Sequence, residues 1–161
     1  MTGPYLEQAP MIKLFVALAF AAATTAPTAA DDKADVMATI NQFVGGFNKG
    51  DTKGAAAACA EHTSILDEFA PHEWHGAGAC LTWMKDYDTD AKKNAITDGI
   101  VTLNKPKHLD IDGAYAYVVI PSDYSFKKAG KEVWEKDSLF TFALKKGPAG
   151  WKITGWSWAK N

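Results

Sequence analysis

The sequence predicts an α+β domain with three helices first and a curved, mostly antiparallel sheet after them. Three observations carry this. Apolar residues recur at helical spacing early in the chain, strand-like alternation fills its second half, and hairpin turns separate the later segments. Val36, Ile40, Phe43, Val44 and Phe47 form one apolar stripe, and Asn48-Lys49-Gly50 ends that first helix. Gly45-Gly46 weakens the helix, which implies a close neighbour there. Asp51 is a fair N-cap for an Ala-rich second helix over residues 52–60. Residues 63–69 read as a strand, Ala70-Pro71 as a turn and residues 72–75 as a short returning strand. A third helix spans residues 79–93, with Trp83 and Tyr87 on one face. Strands follow at 96–110, 114–127, 132–145 and 151–159. Asp112-Gly113 makes one hairpin turn, and Lys146-Gly147-Pro148-Ala149-Gly150 a longer one.

The first 30 of the 161 residues read as a secretory signal peptide with its start at Met11. A lysine precedes the apolar run LFVALAFAAA, which is short for a bilayer span, and small residues stand before Asp31. An uncleaved membrane anchor is the alternative. Cleavage leaves one domain over residues 31–161, no stable membrane span, and a periplasmic or secreted chain. Two cysteines, Cys59 and Cys80, then suggest a disulfide, with two buried thiols as the alternative. Pairing residues 63–69 with 72–76 would bring both cysteines to the open end of the hairpin. A bridge closing that loop would add about 3 kcal/mol. All 17 basic residues are lysine and the net charge is −2. Without arginine or a basic stripe, nucleic acid is not an expected partner. No glycine-rich phosphate loop and no cofactor motif occurs.

Taken in order, "FVGGFNKGD", "HTSILDEF", "GAGACLTWMKDY", "DGAYAYVVIPSDYSF" and "GWKITGWSWAK" resemble the nuclear transport factor 2-like, SnoaL-like superfamily over residues 32–160. The resemblance implies a cone-shaped pocket between helices and sheet, and a homodimer through the sheet. It does not imply one function, because the fold hosts isomerases, cyclases, dehydratases, hydrolases and binding modules. Against the ketosteroid-isomerase branch, the general-base aspartate falls on Asp67. Alternation independently places Ile65, Asp67 and Phe69 on one face, where burial would raise the carboxyl pKa. A backbone-bonded structural aspartate is the other reading. Glu68 should face solvent. The branch's oxyanion donors fall on Phe43 and near Phe140, which cannot donate, and this argues against steroid-isomerase chemistry. The Asp-Arg-Asp set of limonene-epoxide-hydrolase-like members is excluded by the lack of arginine. A dehydratase-like pairing of Asp67 with His72 or His75 stays open. Those histidines, three apart on a strand, face opposite sides, so no metal site is expected.

Phe43, Phe47, Trp83, Tyr87, Tyr117, Phe140, Phe142, Trp156 and Trp158 are the expected ligand-contacting residues. Trp156 and Trp158 share a face that forms either the pocket or a dimer interface. The expected function is binding of a small, mostly apolar molecule in the cone pocket. The alternatives are an acid–base enzyme of the isomerase, dehydratase or cyclase kind with Asp67 as proton shuttle, and a dimerising interaction module.

Overall fold

A computed structural model describes Met1, Gly3 and residues 29–161. The expected leader, with its start at Met11 and its apolar run at 14–23, lies outside the described residues. Among the described residues, no helix is long and apolar enough to cross a membrane.

Helix α1 (Ala29–Lys49) buries Val36, Ile40, Phe43 and Val44 and carries Asp31 and Asp32 in its first turn, where acidic groups favour the helix dipole. Within the glycine pair Gly46 marks a close approach, as expected, while a Cβ at Gly45 would meet nothing. A Cβ at Gly46 would stand 2.6 Å from the Ala55 backbone nitrogen in α2 (Thr52–Ala56). Asp51 caps α2 by accepting from the Gly54 amide at 2.9 Å. Helix α2 stops well short of residue 60. Its alanines favour helix, but Cys59 is already paired beside Ile153, and sheet pairing overrides local propensity.

Strand β1 (Cys59–Leu66) therefore begins four residues before the expected start and ends before Asp67. A turn closed by the Asp67 amide on the His72 carbonyl (3.0 Å) leads into β2 (Glu73–Ala77). Helix α3 (Ala79–Lys93) follows with the expected bounds. The cysteines are bridged, with Cα atoms 6.6 Å apart, so the start of β1 is tied to the start of α3.

The strand expected over 96–110 is two strands, β3 (Ile96–Leu103) and β4 (His108–Asp112). Pro106 lies between them and cannot donate to a ladder. Both pair with β5 (Tyr115–Lys128), which runs on through β6 (Lys131–Gly147) to β7 (Gly150–Ala159). The last turn is tighter than expected, because Gly147 pairs with Gly150 and only Pro148-Ala149 turn the chain. The sheet order is β2-β1-β7-β6-β5-β3, antiparallel except where β1 joins β7 in parallel.

The sheet's concave face buries Val118, Ile120, Phe140, Phe142, Leu144, Ile153 and Trp156 against α1 and α3. A bulge at Thr154 in β7 decides which face the tryptophans take. The extra residue shifts the alternation, so Trp151, Ile153, Trp156 and Trp158 all turn inward despite their odd spacing.

Candidate functional site

Asp67 sits where β1 gives way to the turn, so its side chain enters the gap between the sheet and α3. Trp83 and Tyr87, one turn apart on α3, stack at 5.7 Å and face the same gap. Phe43 and Phe47 approach from α1, whose end is fixed by Asn48. That side chain bonds the Val101 amide and carbonyl in β3, both at 2.8 Å. Phe140 and the inward tryptophans Trp156 and Trp158 close the sheet side, with Trp156 edge-on to Trp83 at 4.8 Å. The cavity is about 60 Å³, which is space for a few water-sized bodies and suits nothing larger than one ring.

Three polar side chains line this inner cavity: Asp67, Tyr87 and Tyr124. Burial among the rings pushes the Asp67 carboxyl up to about 6. It does so against two hydrogen bonds that favour the ionised form, from the Glu68 amide (2.7 Å) and from Trp83 Nε1 (2.8 Å). Desolvation wins because the aromatic wall displaces water from a charge that two neutral donors only partly compensate. Tyr87 and Tyr124 are joined hydroxyl to hydroxyl, and burial raises both phenol pKa values. The pair fits only because residue 99 is glycine. A Cβ there would lie 2.7 Å from the Tyr124 hydroxyl and 2.8 Å from that of Tyr87. The indole nitrogen of Trp156 is buried with no acceptor among the described residues.

Of the residues expected to contact a ligand, Phe43, Phe47, Trp83, Tyr87, Phe140, Trp156 and Trp158 line the cavity. Tyr117 does not. It stands 48 % exposed on the convex face, because inward positions on β5 are Ala116, Val118 and Ile120. Phe142 also misses the cavity; it is fully buried against Phe140 at 4.3 Å, one step further down β6. The His–Asp pairing is not formed. His72 Nδ1 meets the backbone carbonyl of Asp67 at 3.1 Å, and His75 pairs with Glu73 at 3.4 Å. His72 and His75 are both exposed and neither lines the cavity. Among the described residues no three His, Cys, Asp or Glu side chains are grouped to hold a metal.

Sequence reasoning missed Val44, Phe69, Val101 and Tyr124 as cavity walls. The signal for Tyr124 was present in the alternation Ser122-Tyr124-Phe126, and that for Phe69 in its parity with Asp67. Glu68 is exposed, as expected, and its Oε2 lies 3.6 Å from Lys160, which also bonds Glu135.

No protein-family model and no curated protein matches the chain. Solved structures do. A nuclear transport factor 2-like superfamily protein from Salmonella enterica serovar Typhimurium is 15 % identical, with a TM-score of 0.70 over 83 % of this chain and 93 % of that one. A nuclear transport factor 2-like protein with a cystatin-like fold from Novosphingobium aromaticivorans is 15 % identical (TM-score 0.66, 81 % and 82 % covered). A ketosteroid isomerase-like protein from Erwinia carotovora atroseptica is 14 % identical (TM-score 0.60, 79 % and 94 % covered). The chain thus has the nuclear transport factor 2-like, ketosteroid-isomerase-like fold, as the sequence motifs implied.

Proposed function

We propose that the chain binds a small, mostly apolar molecule, or the ring-sized apolar end of a longer one, in the inner cavity. The observation that supports this is a cavity walled by aromatic rings and broken only by one carboxyl and a pair of phenol hydroxyls. Such sites draw affinity from apolar walls and orientation from a few placed polar atoms. Native mass spectra together with a thermal-shift panel of ring-sized lipophiles test it. A retained or stabilising ligand is expected, and a panel with no bound species and no shift would remove the proposal.

A second reading, acid–base catalysis, is favoured by Asp67. A carboxyl at about 6 is partly protonated near neutrality and can both take and return a proton. In this reading Asp67 removes a proton from a carbon acid, and the Tyr87–Tyr124 pair donates the one hydroxyl hydrogen not used between them to the oxygen where charge develops. The pair would supply from α3 and β5 a donor that Phe43 and Phe140 cannot. Asp67→Asn should abolish turnover of any substrate found by screening; full turnover in that variant would end this reading.

Export to the periplasm or exterior and a homodimer through the sheet are part of the same proposal. A disulfide suits an oxidising compartment. Since Trp156 and Trp158 face inward, the dimer surface would be the convex one around Tyr117, Val119 and Leu139. Leu139→Glu should convert dimers to monomers in light scattering, and a wild-type monomer would refute the dimer.

A further inference from the structure

A second and larger cavity, about 460 Å³, lies directly against the first. Phe69, Tyr87 and Tyr124 line both, so one wall of three side chains separates them. The outer cavity is charged where the inner one is apolar. Glu68, Asp90 and Glu135 face it, and so do Lys128 and Lys160. These groups come from the β1–β2 turn, α3, β5, β6 and the segment after β7. Three carboxylates against two ammonium groups leave one negative charge uncompensated.

That excess is focused at Glu135. Its side chain is 6 % exposed, Oε1 accepts from Lys160, and Oε2 is buried with no donor. Lys160 is already shared, standing 3.6 Å from Glu68 Oε2. Asp90 Oδ1 accepts from the neutral Asn94 amide at 3.0 Å, which satisfies that oxygen and leaves its charge in the count. A buried carboxylate oxygen without a donor is costly, and a cationic donor is the partner that relieves both the missing bond and the missing charge. Burial, then a hydrogen bond with Glu135 that needs Glu68 protonated, and then repulsion from that carboxylate push the Glu68 carboxyl up to about 7; the pair holds a proton near neutrality and lacks a donor for Glu135 Oε2 once Glu68 ionises. A hard metal ion suits the place poorly, because an ammonium already stands between the two carboxylates.

We propose that the outer cavity is a second compartment of the binding site and takes a primary ammonium group, carried on a ligand whose ring-sized apolar end occupies the inner cavity. The ligand class is an arylalkylamine. Glu135 Oε2 accepts from the ammonium, and Glu68, which sits on the turn and is 36 % exposed, swings aside to admit it. This inference rests on the inner cavity binding an apolar group.

The test compares phenethylamine, ethylbenzene and phenylpropionate by tryptophan fluorescence and calorimetry at about pH 8, on wild type, Glu135→Gln and Glu68→Gln. In the wild type, phenethylamine should bind about tenfold or more tighter than ethylbenzene, and phenylpropionate should bind weakest. Glu135→Gln should erase the preference for the amine while keeping ethylbenzene affinity, which also shows that the variant is folded. Glu68→Gln should reduce the preference by a smaller factor, and serves alone if Glu135→Gln does not fold. Equal wild-type affinity for amine and hydrocarbon overturns the ammonium site and leaves the inner pocket standing. A preference that survives in Glu135→Gln, or in Glu68→Gln when that variant stands alone, overturns it as well. Failure of all three probes to bind overturns the pocket reading first, and this one with it.

Discussion

Strand β5 presents one tyrosine to each of two different worlds. Tyr124 is buried on the concave face, bonded to Tyr87 at the edge of both cavities, whereas Tyr117 stands half exposed on the convex face. The contrast extends across the sheet. The concave rows are Phe140, Phe142 and the β7 tryptophans. The convex row beside Tyr117 is Ala143, Gly155 and Ser64, and the next is Val119, Thr141, Ser157 and Leu66. Aromatic content therefore does not mark the site; strand parity does. The concave face is a layered core with a cavity, and the convex face carries mostly small and polar side chains in its central rows, with Asp110 beside Tyr117 and Glu73 beside Leu66 at their ends.

The largest test of that difference is a pair of truncations. Trp156→Ala should destabilise the fold by about 3–5 kcal/mol, as large core truncations do. Tyr117→Ala should change a monomer's stability by no more than about 0.5 kcal/mol. Denaturant titration of both variants reads the contrast directly, and equal losses would break it.

A smaller effect separates charge from packing within the concave face. Asp67 has a folded-state pKa of about 6, above its ordinary 3.8, so the folded chain holds this proton more tightly than the unfolded one. The stability this contributes is fully present below about pH 4 and is lost as pH rises through 6. Wild type should lose about 2 kcal/mol relative to Asp67→Asn between pH 4 and pH 7. Melting curves across that range check it, and parallel profiles for the two proteins would show that Asp67 is not desolvated.

Gly99→Ala is the finest probe. Its Cβ must part the Tyr87–Tyr124 hydroxyls, at a cost of about 1–2 kcal/mol. Tyr124→Phe should relieve much of that loss in the double variant. If Gly99→Ala alone is neutral, the hydroxyls do not meet there.

The helices and the meander were legible because each buries one regular stripe, and periodicity reports stripes. The face taken by Asp67 was legible too, through its parity with Ile65. What escaped came from interruptions and distance. The bulge at Thr154 resets parity inside "GWKITGWSW", so the strand's face could be assigned only once its partner was known. Pro106 split a strand that apolar alternation joined. Phe142 looked equivalent to Phe140, yet cavity depth is a property of the packed layers. Glu68 and Glu135 meet across the fold, and nothing local to either residue announces the other.

The Cys59–Cys80 bridge has a consequence for resistance to proteolysis. It encloses β1, the exposed turn around Ala70 and Pro71, and β2 in one covalent ring. A protease that cuts the turn opens the ring without freeing either end. The nicked chain would migrate as a single band without reductant and as two with it, and both halves of the cavity wall would stay attached while it does so.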